Sequence, residues 1–137
     1  MKKAASFLCA CLLLTAMVTG CSAPVKEAER GKDWDYTVVP TRDVPEDFQA
    51  QIDKKKVNAF QMTYENGEYL YMAVGYGEQE SGGFNIQVQG LYEKGEELCL
   101  ETSLLGPGEE EIVNGKVSYP YIVIKTQCSS KNVDFEI

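Results

Sequence analysis

The sequence predicts a mainly β domain with one short N-terminal helix, folded as an antiparallel β-barrel or sandwich. Two observations carry this expectation. Only one stretch, around Phe48 and Ile52, spaces its apolar residues as a helix does, whereas from Ala59 onward they recur every second position. Turn residues then punctuate the alternating runs at short intervals, as in all-β domains built of hairpins.

The chain opens with Met1-Lys2-Lys3 and an uncharged run from Ala4 to Val18, broken only by Ser6 and Thr15. A basic start and an apolar stretch of this length read as a secretory leader, since a spanning helix needs ~20 apolar residues. Val18-Thr19-Gly20-Cys21 follows, small residues running into a cysteine. This resembles a bacterial lipobox, which implies removal of residues 1–20 and lipidation of Cys21. Residues 22–33 are polar and hold too few apolar groups to pack, so residues 21–33 read as lipidated cysteine and flexible tether, and 34–137 as one domain.

Trp34 to Val39 alternates and is expected to form the first strand. Asp43-Val44-Pro45-Glu46 supplies a helix start, with Asp43 as N-cap and Pro45 early in the first turn. Phe48 and Ile52, four apart, give the helix one apolar face, and Lys54-Lys55-Lys56 close it in favourable contact with the helix dipole. Phe60, Met62 and Tyr64 form the next alternating run. Asn66-Gly67 then predicts a type I′ hairpin turn into a strand from Tyr69 to Tyr76. Phe84-Ile86-Val88 marks a strand with one wet face, Lys94-Gly95 a turn, and Leu98-Leu100 the returning strand. Leu105 to Ser118, with Gly-Pro-Gly and three glutamates in a row, reads as loop with a turn of strand at Ile112-Val113. Tyr121 to Ile124 is an unbroken apolar run fit for a central strand, and Val133 to Ile137 an edge.

Charge and composition narrow the function. The chain carries 13 basic and 21 acidic residues, a net charge of −8, and the leader removes two lysines but no acid. Such a field repels nucleic acid, and the lysine triplet is a helix end rather than a basic binding face, so no nucleic-acid partner is expected. There is no histidine. Histidine-dependent nucleophilic catalysis and the commonest metal ligand are therefore absent, and no phosphate-binding glycine loop replaces them. Glu78, Glu80, Glu109, Glu110 and Glu111 fall in loops and read as a solvated face, not as catalytic or calcium-binding pairs. No catalytic residue, metal site or cofactor is expected, and the protein is read as no enzyme.

Of five cysteines, only Cys99 and Cys128 lie beyond the leader and Cys21. An oxidising compartment permits a disulfide between them. Alternation, however, places Cys99 beside Glu101 and Ser103 and away from Leu98 and Leu100, so a disulfide and two free thiols both stay open. Eight tyrosines are the remaining informative group, because tyrosine suits both half-buried sheets and protein interfaces. Tyr76 and Phe84, flanking a seven-residue loop, are expected to be exposed.

The segment ending in Ser81-Gly82-Gly83-Phe84, then Gly106-Pro107-Gly108, Tyr119-Pro120-Tyr121 and Val133-Asp134-Phe135, carries a family resemblance. In this order they resemble the C-terminal domain family of the bacterial protease-complex subunit PrcB, over roughly residues 58–137. Ser81 stands where threonine is usual in that family, and Phe84 where tyrosine is usual. The resemblance implies a non-catalytic lipoprotein that assembles with a secreted or surface protease. Tyr76, Gly82, Gly83, Phe84 and Tyr121 are its interface or turn residues, the two glycines being suited to a turn needing positive φ. The expectation is a membrane-anchored extracytoplasmic binding module, with a small-ligand-binding surface lipoprotein holding a tyrosine-lined pocket as the alternative.

Overall fold

The computed structural model describes residue 20, residues 28–109 and residues 115–137. Cys21, the leader run, Glu110, Glu111 and the Ile112-Val113 pair lie outside the described residues. The elements in chain order are β1 (Arg30–Asp33), β2 (Thr37–Val38), a 3₁₀ turn (Thr41–Asp43), α1 (Glu46–Lys55), β3 (Ala59–Glu65), β4 (Tyr69–Tyr76), β5 (Asn85–Lys94), β6 (Glu97–Leu105), β7 (Tyr121–Gln127) and β8 (Val133–Glu136).

Two four-stranded sheets result, ordered β1-β5-β6-β8 and β2-β7-β4-β3. Every pairing is antiparallel except β6 with β8, which run parallel. The sheets face one another as a sandwich rather than closing into a barrel. Leu70, Met72, Val74 and Ile124 of one sheet meet Leu91, Leu98 and Leu100 of the other in a buried cluster. The unbroken apolar run of β7 suits its central place, because both of its faces are covered.

The covering on the outer face is α1. Phe48 and Ile52 are fully buried against Tyr71, Ala73 and Val123, with Val39 and Val44 closing the edge. Each such side chain withdrawn from water stabilises by about 1.5–3 kcal/mol. Phe48 also stacks on Tyr64 at a centroid distance of 5.2 Å, which fixes the helix over β3. The molecule thus has three layers, helix, sheet and sheet.

Local details depart from the expectations in instructive ways. Asp43 does not cap the helix: its N–H bonds to Pro40 in the 3₁₀ turn, and Pro45 occupies the N-cap position with no side-chain cap. Of the first strand expected over Trp34 to Val39 only Thr37–Val38 is strand, as β2, and an additional strand, β1, takes the last four residues read as tether. Asn66 keeps a negative φ and only Gly67 is positive (89°). The hairpin turn therefore has the II′ pattern, a glycine first, rather than I′. Asn66 instead accepts bonds from the Glu68 and Tyr69 N–H groups through Oδ1. In β5 the register shifts between Val88 and Gly90. This bulge restores phase, so that Leu91 rather than Gly90 joins Val88 between the sheets.

Candidate interaction surface

Chain ends of five strands gather at one end of the sandwich, and the glycine-rich loop between β4 and β5 is fastened there. Gln79 and Ser118 exchange backbone hydrogen bonds of 2.8 and 3.0 Å, and the Tyr76 N–H donates to Pro120 O. Ser118 Oγ donates to Ser81 O at 2.6 Å, and Tyr119 donates to Glu78 at 2.9 Å. The last contact also pushes the Tyr119 phenol above its ordinary range. The residues Ser118 to Pro120, which lead into β7, thus latch the loop that leads out of β4.

The residues singled out from sequence come to this end, but not as an exposed aromatic patch. Tyr76 turns inward, and its hydroxyl meets Thr102 Oγ1 of the facing sheet at 2.8 Å. Tyr121 turns to the helix side, where Gln49 Nε2 donates to its hydroxyl at 3.2 Å. Phe84 is half-buried, with its ring 3.6 Å from where a side chain on Gly106 would begin. Gly83 takes the positive φ (84°) expected of the turn, whereas Gly82 does not. Alternation could not choose between the two faces for Tyr76, because both faces of β4 are buried. The exposed apolar groups here are aliphatic instead: Val57, Leu105 and Val117, each about half accessible. Val57 O accepts the Glu78 N–H, Leu105 pairs with Asn85, and Val117 precedes Ser118, which puts all three around the latched loop.

A second constellation was invisible in the sequence. The outward face of the β1-β5-β6-β8 sheet carries Arg30, Tyr92, Lys94, Cys99, Glu101, Asp134 and Glu136, drawn from four strands. Tyr92 is 5 % exposed, and its hydroxyl is shared between Glu101 and Glu136 at 3.3 Å each. The Arg30 guanidinium lies 4.0 Å over the Tyr92 ring, and Lys94 Nζ reaches Glu136 at 2.5 Å. The Lys94 hydrogen bond holds the Glu136 carboxyl below its ordinary range, with burial opposing. The Tyr92 phenol is pushed far up, first by its contact with Cys99 and then by burial. Burial likewise pushes the Cys99 thiol up, as do the charges of Glu136 and Asp134, against the contact with Tyr92.

Cys99, Asp134 and Glu136 bring their ligand atoms within 4.8 Å of one another. Their chemistry suits a divalent cation only partly. A raised thiol resists becoming the thiolate a metal requires, and Lys94 already supplies the positive charge on Glu136. Cys99 and Cys128 are both free, the first buried in β6 on this outward face, the second exposed beyond β7 in the other sheet.

The tyrosine-lined pocket of the small-ligand alternative has a partial counterpart. Tyr36 and Tyr69 share a groove of about 400 Å³ with Asp35, Thr37 and Lys125, whose Nζ lies 4.4 Å over the Tyr69 ring. It is a surface groove, not an enclosed chamber. Of the loop glutamates, Glu78 is engaged by Tyr119 and Glu80 points to solvent, so neither forms a pair in a cleft.

No curated protein and no solved structure matches the chain. Residues 70–127, which run from β4 through the latched loop to the end of β7, match the model of the family described as PrcB C-terminal.

Proposed function

We propose that the protein is a non-catalytic binding module that assembles with an exported protease and is held at a bacterial membrane by lipid on Cys21. The observation that carries the first half is the family match over residues 70–127, a stretch named for a domain of a protease-complex subunit. The geometry supports it. The matched stretch contains a loop fastened by Ser118 to Pro120, and three half-exposed aliphatic side chains surround it. A preformed surface of this kind loses little conformational freedom on binding. The sequence supports the anchor: Val18-Thr19-Gly20-Cys21 ends an uncharged run behind two lysines, and two or more acyl chains would hold the protein stably.

Crosslinking in intact cells, followed by mass spectrometry, tests the assembly. The reading expects an exported protease crosslinked to residues around Val57, Leu105 and Val117, and fails if no exported enzyme is recovered. Labelling with a palmitate analogue tests the anchor: the label is expected on the native protein and lost in Cys21→Ser.

A further inference from the structure

The sandwich has four edge strands, and three of them are blunted. β2 is two residues long, β8 is four residues with Asp134 and Glu136, and β1 is four residues with a register irregularity and two basic side chains. Short, charged or irregular edges resist pairing with other chains. β3 has none of these defences. It runs seven residues in unbroken register with β4, with no proline, no lysine and one charge, Glu65, at its end.

We propose that the free edge of β3 is where the partner docks, by adding an extended segment whose side chains alternate between acidic and apolar. This inference rests on the reading of the protein as a binding module and names the surface and the partner's chemistry. The hydrogen-bond phase of β3 is set at both ends. The Tyr76 N–H turns to Pro120, away from β3, and the Asn66 N–H bonds to Tyr69 O. Phe60, Met62 and Tyr64 therefore bond to β4, and the N–H and C=O groups of Gln61 and Thr63 point away from the sheet. Those two residues are exposed.

Grooves flank this edge on both sides. One, of about 240 Å³, is lined by Ala59, Phe60, Gln61 and the exposed Ile137. The other, of about 260 Å³, is lined by Lys54, Lys55, Asn58, Ala59 and Phe60. An added strand sends alternate side chains to opposite faces. One set would meet Ile137; the other would meet Lys54 and Lys55, neither of which has an acidic partner among the described residues. On a chain of net charge −8 this is a local positive site, and it selects carboxylates there. The edge also begins beside Val57, so it continues the surface around the latched loop.

The test uses the full chain in detergent and blocked peptides as long as β3. One alternates glutamate with valine, one lysine with valine, and one is the first peptide N-methylated on alternate amides. Binding of the glutamate peptide is expected to exceed that of the other two by about tenfold or more. Thr63→Pro removes one outward N–H while sparing the ladder to β4, and a Lys54→Glu, Lys55→Glu variant reverses the flank on an exposed helix end. Each is expected to cost about tenfold in affinity for the glutamate peptide, with an unchanged unfolding curve for the lysine variant. Equal affinity for the peptides, or no loss in the lysine variant, overturns the proposal. So does a concentration-dependent dimer abolished by Thr63→Pro, which would make a second copy the occupant. A protease crosslink in cells that survives Thr63→Pro undiminished overturns the docking edge while leaving the binding-module reading intact. Recovery of no exported enzyme defeats that reading itself.

Discussion

The hydroxyls of Tyr76 and Thr102 meet at 2.8 Å across the space between the two sheets. Thr102 is 3 % exposed, so this bond is its main relief from desolvation in an apolar layer. Removing one partner strands the other. Tyr76→Phe is expected to cost about 1–3 kcal/mol in chemical denaturation. Pairing it with Thr102→Val is expected to recover part of that loss, because neither polar group is then left alone. Additive costs in the double-mutant cycle would show that the hydroxyls do not satisfy each other.

Gly77 follows β4 with φ +76° and is buried. A side chain there would begin 2.9 Å from the Ala59 backbone N, which cannot swing aside. Gly67 has a similar φ, +89°, but open space around it. Both Gly→Ala variants carry the left-handed penalty, and only Gly77→Ala adds a backbone clash. Gly67→Ala is expected to lose about 1 kcal/mol and Gly77→Ala about 1–3 kcal/mol more, measured by urea unfolding. Equal losses would refute the close approach.

The layered β architecture was legible because burial writes itself as period two, and α1 because Phe48 and Ile52 fall on one helical face. The β7 run Tyr121 to Ile124 announced a strand covered on both sides. β1 was not legible, since all four of its residues are exposed and they carry no apolar alternation. What holds it in place is Arg30, which crosses Gly90 and lies on Tyr92, sixty residues away in sequence by order of magnitude. The outward polar cluster escaped for the same reason. Its members come from four strands, and the parallel pairing of β8 with β6 that sets Asp134 beside Cys99 leaves no local trace.

Burial separates the two thiols. Cys99 is fully buried and its thiol is pushed up by that burial and by Glu136 and Asp134, so it is both shielded and protonated near neutral pH. Cys128 is exposed. Thiolate is the reacting species, and access limits it further. Peptide-resolved alkylation with iodoacetamide is expected to modify Cys128 in the native protein and Cys99 only after denaturant is added. Comparable rates for the two would mean that the outward face of β6 opens readily.

Glu136 joins the last strand to the sheet, through Lys94 and Tyr92. Lys94 depresses its carboxyl in the folded state, so Glu136 contributes stability at and above the ordinary carboxylate range. That contribution is lost as pH falls through the depressed folded value, because the proton then taken up abolishes the attraction to Lys94. Its side chain is 36 % exposed, so solvent screening keeps the stabilisation to at most about 1 kcal/mol. Glu136→Gln is therefore expected to lower stability modestly at neutral pH and to flatten the acid limb of the stability curve. Amide exchange should locate the change in β8, whose four residues hold to β6 along one side only. Parallel acid limbs for the native and Glu136→Gln proteins would show that this carboxylate does not fasten the strand.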